Sequence, residues 1–154
     1  MANEIVFINK ERAFISISAS IAAGCQPCTE YHVNGARQAG SCDRSIALAA
    51  ETALAVRESA TRNMASWADR CAGPRPEINQ EFRIEKRLVT ELAAVAAAVA
   101  VNSVPDVLAR SESARAAGAT QEQIVAAVAI ASSIRGTAAQ KVETALVEPV
   151  SKAN

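Results

Sequence analysis

One stretch of this sequence decides how the chain folds and where its chemistry lies: Gly24-Cys25-Gln26-Pro27-Cys28-Thr29-Glu30-Tyr31-His32. It holds two of the four cysteines and the only histidine of the chain. Pro27 favours a helix that begins here, because proline suits the first helical turn, where its missing N–H group is not needed. On such a helix Cys25, Cys28 and His32 share one face, since residues three and four positions apart are neighbours.

Two thiols at this spacing can close a disulfide or hold a soft metal, and an imidazole one turn later can take a proton. Thiolate is the reactive form of cysteine, and the pKa of a free thiol is near ~8.5. A neighbouring imidazolium and a helix N-terminus both lower that pKa. The motif therefore predicts a reactive cysteine pair, Cys25 and Cys28, with His32 beside it.

The composition predicts one all-α domain that spans residues 1–154. Half of the 154 residues are hydrophobic but only 3% are aromatic, so the apolar volume consists mainly of alanine, valine, isoleucine and leucine. Alanine is the best helix former, and small side chains let helices approach closely. The formal net charge is zero, which gives no electrostatic footprint for nucleic acid or for an anionic membrane as a partner.

The N-terminal residues do not resemble an export signal, and we expect a cytoplasmic protein. Glu4, Lys10 and Glu11 stand where a signal peptide would have a basic segment followed by an apolar run. The longest apolar run, from Leu92 to Val101, is about half of the ~20 residues that cross a bilayer. In a reducing compartment a CxxC pair is more often catalytic or metal-binding than a structural crosslink.

Glycine and proline punctuate the chain into about six predicted helices. Gly24, Gly40 and Gly118 are expected to end helices, and the segment 73–76 is expected to be a linker. Thr120 with Gln123 predicts a capping box at the start of the last helix. The predicted helices cover about 13–23, 26–39, 41–70, 82–101, 105–118 and 120–146.

Sliding the chain against itself by 78 residues indicates an internal duplication. The informative matches pair Pro27 with Pro105, Gly40 with Gly118, Ile46 with Ile124, and Arg57 with Arg135. We predict two repeats, about 10–72 and about 82–148, related by a pseudo-twofold axis in one bundle.

The second repeat is degenerate because it lacks the two cysteines and the histidine. Cys25, Cys28 and His32 correspond to Ser103, Asp106 and Arg110, in that order. Asp106 and Arg110 keep the i,i+4 spacing and are expected to form an ion pair. The second repeat is therefore expected to be scaffold, and the first to carry the site.

The run from Ala22 to His32, followed by Ala36 and Ala39-Gly40, resembles the carboxymuconolactone decarboxylase / AhpD-like alkylhydroperoxidase family. The resemblance covers nearly the whole chain when both repeats are counted. It implies an all-α, AhpD-like helical bundle that assembles into a trimer or a hexamer. It also implies that Cys28 attacks the peroxide and becomes a sulfenic acid, that Cys25 resolves it and donates a proton, and that His32 belongs to a proton relay.

One position departs from the family pattern. The family usually has a glutamate twelve residues before the first cysteine, and Ala13 stands there in this chain. The equivalent position of the second repeat is Glu91, which could reach the site across the pseudo-twofold axis or a subunit interface. The other acids that could serve the relay are Glu11, Glu30 and Glu51.

The resulting hypothesis is a thiol-dependent hydroperoxide reductase or disulfide oxidoreductase. Its partners would be a hydroperoxide, a dithiol or protein reductant, and further copies of this chain, and it requires no metal or organic cofactor. One alternative is a non-catalytic redox sensor. Another is a zinc module in which Cys42 or Cys71 joins the CxxC pair and His32. A third is a lyase of the wider family, although the decarboxylase branch lacks the CxxC.

Overall fold

A computed structural model of the chain describes residues 8–73 and 76–147, and these residues confirm the all-α prediction. They form seven α-helices and no strand. The helices are α1 Asn9–Ala22, α2 Gln26–Gln38, α3 Asp43–Ala72, α4 Gln80–Glu85, α5 Arg87–Ala100, α6 Val104–Ala116 and α7 Gln121–Val147.

Two predicted boundaries differ from the structure. The fourth predicted helix is divided into α4 and α5 at Lys86, whose backbone (φ −92°, ψ 7°) leaves the helical region. The first helix begins at Asn9 instead of Ala13, because the Glu11 carboxylate accepts a hydrogen bond from the backbone N–H of Ile8 at 3.0 Å. In the predicted linker, residues 74 and 75 lie outside the described part of the chain.

The chain divides into two compact units, Met1–Glu77 and Ile78–Asn154. The first contains α1 to α3 and the second contains α4 to α7. Helices α5, α6 and α7 begin at residues 87, 104 and 121, each 78 residues after the start of α1, α2 and α3. The assembly of both repeats into a single domain with a pseudo-twofold axis stays a prediction.

In the first unit, α1 and α2 each end in a hydrogen-bonded turn of the same type. Gly24 (φ 70°) and Gly40 (φ 76°) adopt the left-handed conformation that glycine allows. The N–H groups of Gly24 and Cys25 bond to the carbonyls of Ile21 and Ser20, both at 3.0 Å. Gly40 and its successor bond back into α2 in the same way. This pair of backbone hydrogen bonds is the Schellman motif, which ends a helix and fixes the direction of the chain that follows.

The second unit repeats the device at the equivalent positions. Asn102 (φ 57°) replaces Gly24, and Gly118 (φ 96°) replaces Gly40. Ser103 N–H bonds to the carbonyl of Ala98 at 3.0 Å, as Cys25 does to Ser20. Asparagine is the residue besides glycine that tolerates this conformation, so the turn survives the substitution.

Small side chains form the core of the first unit. Ile17, Ala36 and Ala49 come from α1, α2 and α3 and are at most 1% exposed. Ser18 links α1 to α3, because its hydroxyl donates to the carbonyl of Ala49 at 2.9 Å. Alanine at two of the three central positions lets the helix backbones come close, which positions the α1–α2 turn firmly against the unit.

The second unit uses the corresponding positions. Val95, Ala114 and Ile124 are its buried centre, and they stand 78 residues after Ile17, Ala36 and Ile46. The predicted capping box also forms: Thr120 accepts from the N–H of Gln123 at 3.2 Å, and the Gln123 side chain accepts from the N–H of Thr120 at 2.9 Å.

The long helices α3 and α7 extend beyond their cores with exposed apolar side chains. In α3 every residue after Arg57 is exposed, including Met64 at 62% and Trp67 at 55%. In α7 Ile134 and Val142 are 61% and 64% exposed. The core of each unit therefore leaves these apolar side chains uncovered. Across the described ranges, no helix has the length and apolar character required to cross a bilayer.

Gly35, inside α2, and Gly40, in the turn that follows it, provide a test of the turn geometry. Gly40→Ala should destabilise the protein by about 1–2 kcal/mol, because a Cβ disfavours its positive φ. Gly35→Ala is the matched control: it lies inside the helix with nothing within 4 Å of an added Cβ, and should stabilise by about 0.5–1 kcal/mol. Urea unfolding measures both, and equal effects of the two substitutions would contradict the turn assignment.

Candidate functional site

Cys25 ends one helix and begins the next. Its backbone N–H completes the turn that closes α1, and its Sγ accepts a hydrogen bond from the backbone N–H of Cys28 at 3.3 Å. Cys25 is therefore the N-cap of α2, where a side-chain acceptor satisfies a free helical N–H group. Pro27 lies in the first turn of α2, as its sequence position predicts.

Cys25 and Cys28 form a disulfide, with their Cα atoms 5.3 Å apart. Cys28 is exposed and Cys25 is half-buried, so an incoming thiol has freer access to the sulfur of Cys28. Once reduced, Cys25 Sγ would remain at the positive end of α2, where the helix N-terminus stabilises a thiolate.

A hydroxyl pair joins the first turn of α2 to α1. Thr29 Oγ1 lies 3.1 Å from Ser20 Oγ and 3.0 Å from the carbonyl oxygen of Cys25, and its single proton serves one of them at a time. The buried Ser20 hydroxyl donates to the carbonyl of Ile17 at 2.9 Å. Sequence reasoning missed this link, because serine and threonine on alanine-rich helices give no distinctive pattern.

His32 follows Cys28 by one helical turn on α2 and is half-buried. Its ring packs edge-on against that of Tyr31, with centroids 5.2 Å apart and an interplanar angle of 75°. Within the described part of the chain the imidazole forms no hydrogen bond, so neither sulfur is its partner in this oxidised state. The i,i+4 spacing keeps the ring on the side of α2 that carries Cys28.

A comparison with protein-family models identifies the segment that carries these residues. The model of the carboxymuconolactone decarboxylase family matches residues 9–70. This segment is similar to that family. It covers α1, α2 and nearly all of α3, and it therefore contains Cys25, Cys28 and His32. A search of curated proteins and a search of solved structures each gave no match.

The carboxylates that could complete the family's proton relay lie in different places. Glu91 is on α5 in the second unit, and its buried Oε2 atom has no hydrogen-bond partner among the described residues. Glu11 bonds to the N–H of Ile8, and Glu30 and Glu51 are exposed on α2 and α3. That one of these carboxylates exchanges protons with His32 stays a prediction.

The equivalent of the cysteine pair in the second repeat is a hydrogen bond. The Ser103 hydroxyl donates to the Asp106 carboxylate, so the two side chains meet as Cys25 and Cys28 do. The predicted ion pair between Asp106 and Arg110 is wrong for the described residues, because Asp106 turns toward the N-cap of α6 instead.

A zinc site built on Cys25 and Cys28 does not fit the geometry. Cys42 lies beyond the far end of α2, a helix of 13 residues and therefore about 20 Å long. Cys71 lies near the end of α3, and both cysteines are exposed and free. No group of three or more histidine, cysteine or acidic side chains within the described ranges is placed to hold a metal ion.

A cavity of about 680 Å³ opens at the other end of the α1–α2 pair. Lys10, Phe14 and Ile46 are among its walls, and Cys42 lies on its edge. The length of α2 separates this cavity from the disulfide, so it is not the site of the cysteine chemistry.

Cys42, the N-cap of α3, provides a test of how a helix N-terminus acts on a thiol in this chain. The Ser45 hydroxyl, 3.3 Å from Cys42 Sγ, lowers the pKa of that thiol, and the backbone N–H of Ser45 lowers it further. More thiolate is then present near neutral pH, so Cys42 should react with iodoacetamide several-fold faster than Cys71.

The faster alkylation of Cys42 should lose its advantage at pH values above ~8.5, the pKa of an ordinary free thiol. Ser45→Ala should reduce the advantage about two- to fivefold, as measured by peptide mass spectrometry. Equal alkylation rates for the two cysteines in the parent protein would contradict this account.

Proposed function

We propose that this protein is a thiol-dependent hydroperoxide reductase, or disulfide oxidoreductase, of AhpD-like type. The observation that supports it best is the Cys25–Cys28 disulfide at the N-terminus of α2, inside the segment that matches the carboxymuconolactone decarboxylase family. A disulfide at a helix N-terminus with one accessible sulfur is suited to reversible opening and closing.

In the oxidative half-reaction, the Cys28 thiolate attacks the terminal oxygen of a hydroperoxide. The O–O bond breaks, the alkoxide takes a proton and leaves as alcohol, and Cys28 becomes a sulfenic acid. Cys25 then attacks the Cys28 sulfur, water leaves, and the disulfide forms. Two thiols and one hydroperoxide thus give one disulfide, one alcohol and one water.

The proton transfers use groups at the start of α2. His32 accepts the proton of Cys28 directly or through one water molecule, which activates the nucleophile. Cys25 supplies the proton to the leaving alkoxide, which converts it to thiolate. Its N-cap position favours that thiolate, because the N–H of Cys28 and the helix N-terminus both stabilise negative charge there.

The reductive half-reaction begins at Cys28. A dithiol or a protein thiol attacks the exposed Cys28 sulfur, forming a mixed disulfide and releasing Cys25 as thiolate. A leaving thiol with a lower pKa departs faster, so the N-cap position of Cys25 assists this step also. A second thiol of the reductant then frees Cys28. This cycle needs a reducing compartment, and we place the protein in the cytoplasm.

Self-association completes the proposal. The exposed apolar residues of the α3 and α7 extensions, Met64, Trp67, Ile134 and Val142 among them, would gain stability from contacts with further copies of the chain. The family resemblance makes a trimer or a hexamer the expected assembly.

Substitution of each cysteine tests the proposed cycle. Cys28→Ser should lower the turnover of an organic hydroperoxide with a dithiol reductant by about 100-fold or more, because the nucleophile is lost. Cys25→Ser should stop turnover after one equivalent and accumulate a Cys28 sulfenic acid, which dimedone traps.

Cys71→Ser is the control and should keep the activity of the parent protein. Full turnover by Cys28→Ser would refute the peroxidase. Reversible oxidation without turnover in the parent protein would favour a redox sensor that uses the same pair.

A further inference from the structure

An arginine from the long helix caps the turn that precedes the cysteine pair. The Arg57 guanidinium donates from Nη1 to the carbonyl of Ala22 at 2.7 Å, with a longer contact of 3.4 Å to that of Ile21. Arg57 is half-buried on α3 and reaches these atoms at the C-terminus of α1. Sequence comparison of the repeats indicates a shared scaffold role for this arginine but does not reveal what it contacts.

The Arg57 contact satisfies a group that the turn itself leaves open. The backbone N–H groups of Gly24 and Cys25 reach the carbonyls of Ile21 and Ser20, and neither reaches Ala22. The last carbonyls of a helix carry partial negative charge, so a guanidinium is a favourable partner for them. Arg57 therefore completes the C-terminus of α1 three residues before Cys25.

We propose that Arg57 is a positioning residue for the Cys25–Cys28 pair. It holds the end of α1 in place and thereby fixes the position of Cys25 at the start of α2. In that position Cys25 Sγ keeps accepting a hydrogen bond from the N–H of Cys28. The functional consequence rests on the redox function proposed above, whereas the positioning itself is tested on the reduced protein without any turnover. Without Arg57 the last turn of α1 would fray and the Cys25 thiolate would lose its helix N-terminal hydrogen bond.

No other charged side chain described in the first unit bonds to the carbonyls at the end of α1. The ionisable side chains of α1 all lie in its first turns, at the far end from Cys25. On α3, Arg57 is the charged side chain that bonds to the end of α1. The other ionisable residues of α3 and α2 are unchanged in every variant described below. The ionisable residues of these elements near this level of the unit are Glu51, Glu58 and Arg62 on α3, and Glu30, Tyr31 and His32 on α2.

In the second repeat the equivalent arginine makes a related contact beside a turn that carries no cysteine. Arg135 donates from Nη1 to the carbonyl of Val99 at 3.3 Å and to the side chain of Asn102. It thereby caps the end of α5, and the residue that follows this turn is Ser103 instead of a cysteine. Arg135 is a matched control, since its loss should affect stability without touching a redox pair.

The test uses the chain of residues 1–154 after reduction, with the variants Arg57→Gln, Arg57→Lys and Arg135→Gln. Alkylation of Cys25 by iodoacetamide is followed by peptide mass spectrometry from about pH 5 to about pH 9. Arg57→Gln should slow the reaction near neutral pH by about three- to tenfold and move its pH profile upward. Arg57→Lys should slow it by about twofold, because a lysine keeps the charge but not the planar fork. Arg135→Gln should leave the profile unchanged.

Urea unfolding of the same proteins separates positioning from general stability. Arg57→Gln and Arg135→Gln should lose similar stability, while only the former changes the Cys25 profile. An unchanged profile in Arg57→Gln, or an equal change in Arg135→Gln, would overturn the inference.

If Arg57→Gln does not fold, Arg57→Lys decides, and a profile identical to that of the parent protein overturns the inference. A failure of the parent protein to form the disulfide with hydroperoxide would refute the proposed function, while the alkylation comparison would still test the role of Arg57.

Discussion

The site depends on one residue meeting two backbone demands at once. Cys25 must present its N–H group to the carbonyl of Ser20, which closes α1, and its sulfur to the N–H of Cys28, which opens α2. Gly24 makes this possible by adopting a positive φ that turns the chain sharply between the two helices. The same few bonds therefore determine the fold of the α1–α2 pair and the placement of the Cys25 sulfur.

The two repeats show which parts of this arrangement are structural. Both contain the Schellman turn, the capping arginine and a core of small side chains at equivalent positions. The side chains at the cysteine positions differ: a disulfide in the first repeat, and a hydrogen bond between Ser103 and Asp106 in the second. The same backbone turn thus persists in the second repeat where there is no thiol, because it connects two helices in both repeats.

Much of the fold could be predicted from the sequence because its signals are local. Glycine and proline determined the ends of α2 and α6, and the Thr120–Gln123 box determined the start of α7. The start of α1 and the break at Lys86 were missed, because a carboxylate cap on the isoleucine N–H group and a one-residue interruption leave little pattern in an alanine-rich sequence.

The candidate site was predictable in part for the same reason. The spacing of Cys25, Cys28 and His32 is a local property of one helix, and the family match includes all three residues. The contact of Arg57 with Ala22 spans 35 residues, and the hydroxyl link between Ser20 and Thr29 joins two helices, so neither follows from periodicity. The predicted pairing of Asp106 with Arg110 failed because a nearer hydroxyl competes for the carboxylate.

We propose that Cys25 and Cys28 are a reversible redox couple. The most direct measurement is the intact mass of the fully reduced protein before and after one equivalent of an organic hydroperoxide, with peptide mapping and metal analysis of the same sample. We predict the loss of two hydrogens, located at Cys25–Cys28 and restored by a dithiol, in a protein free of bound zinc. Unchanged thiols, or thiols protected by bound zinc, would contradict the account.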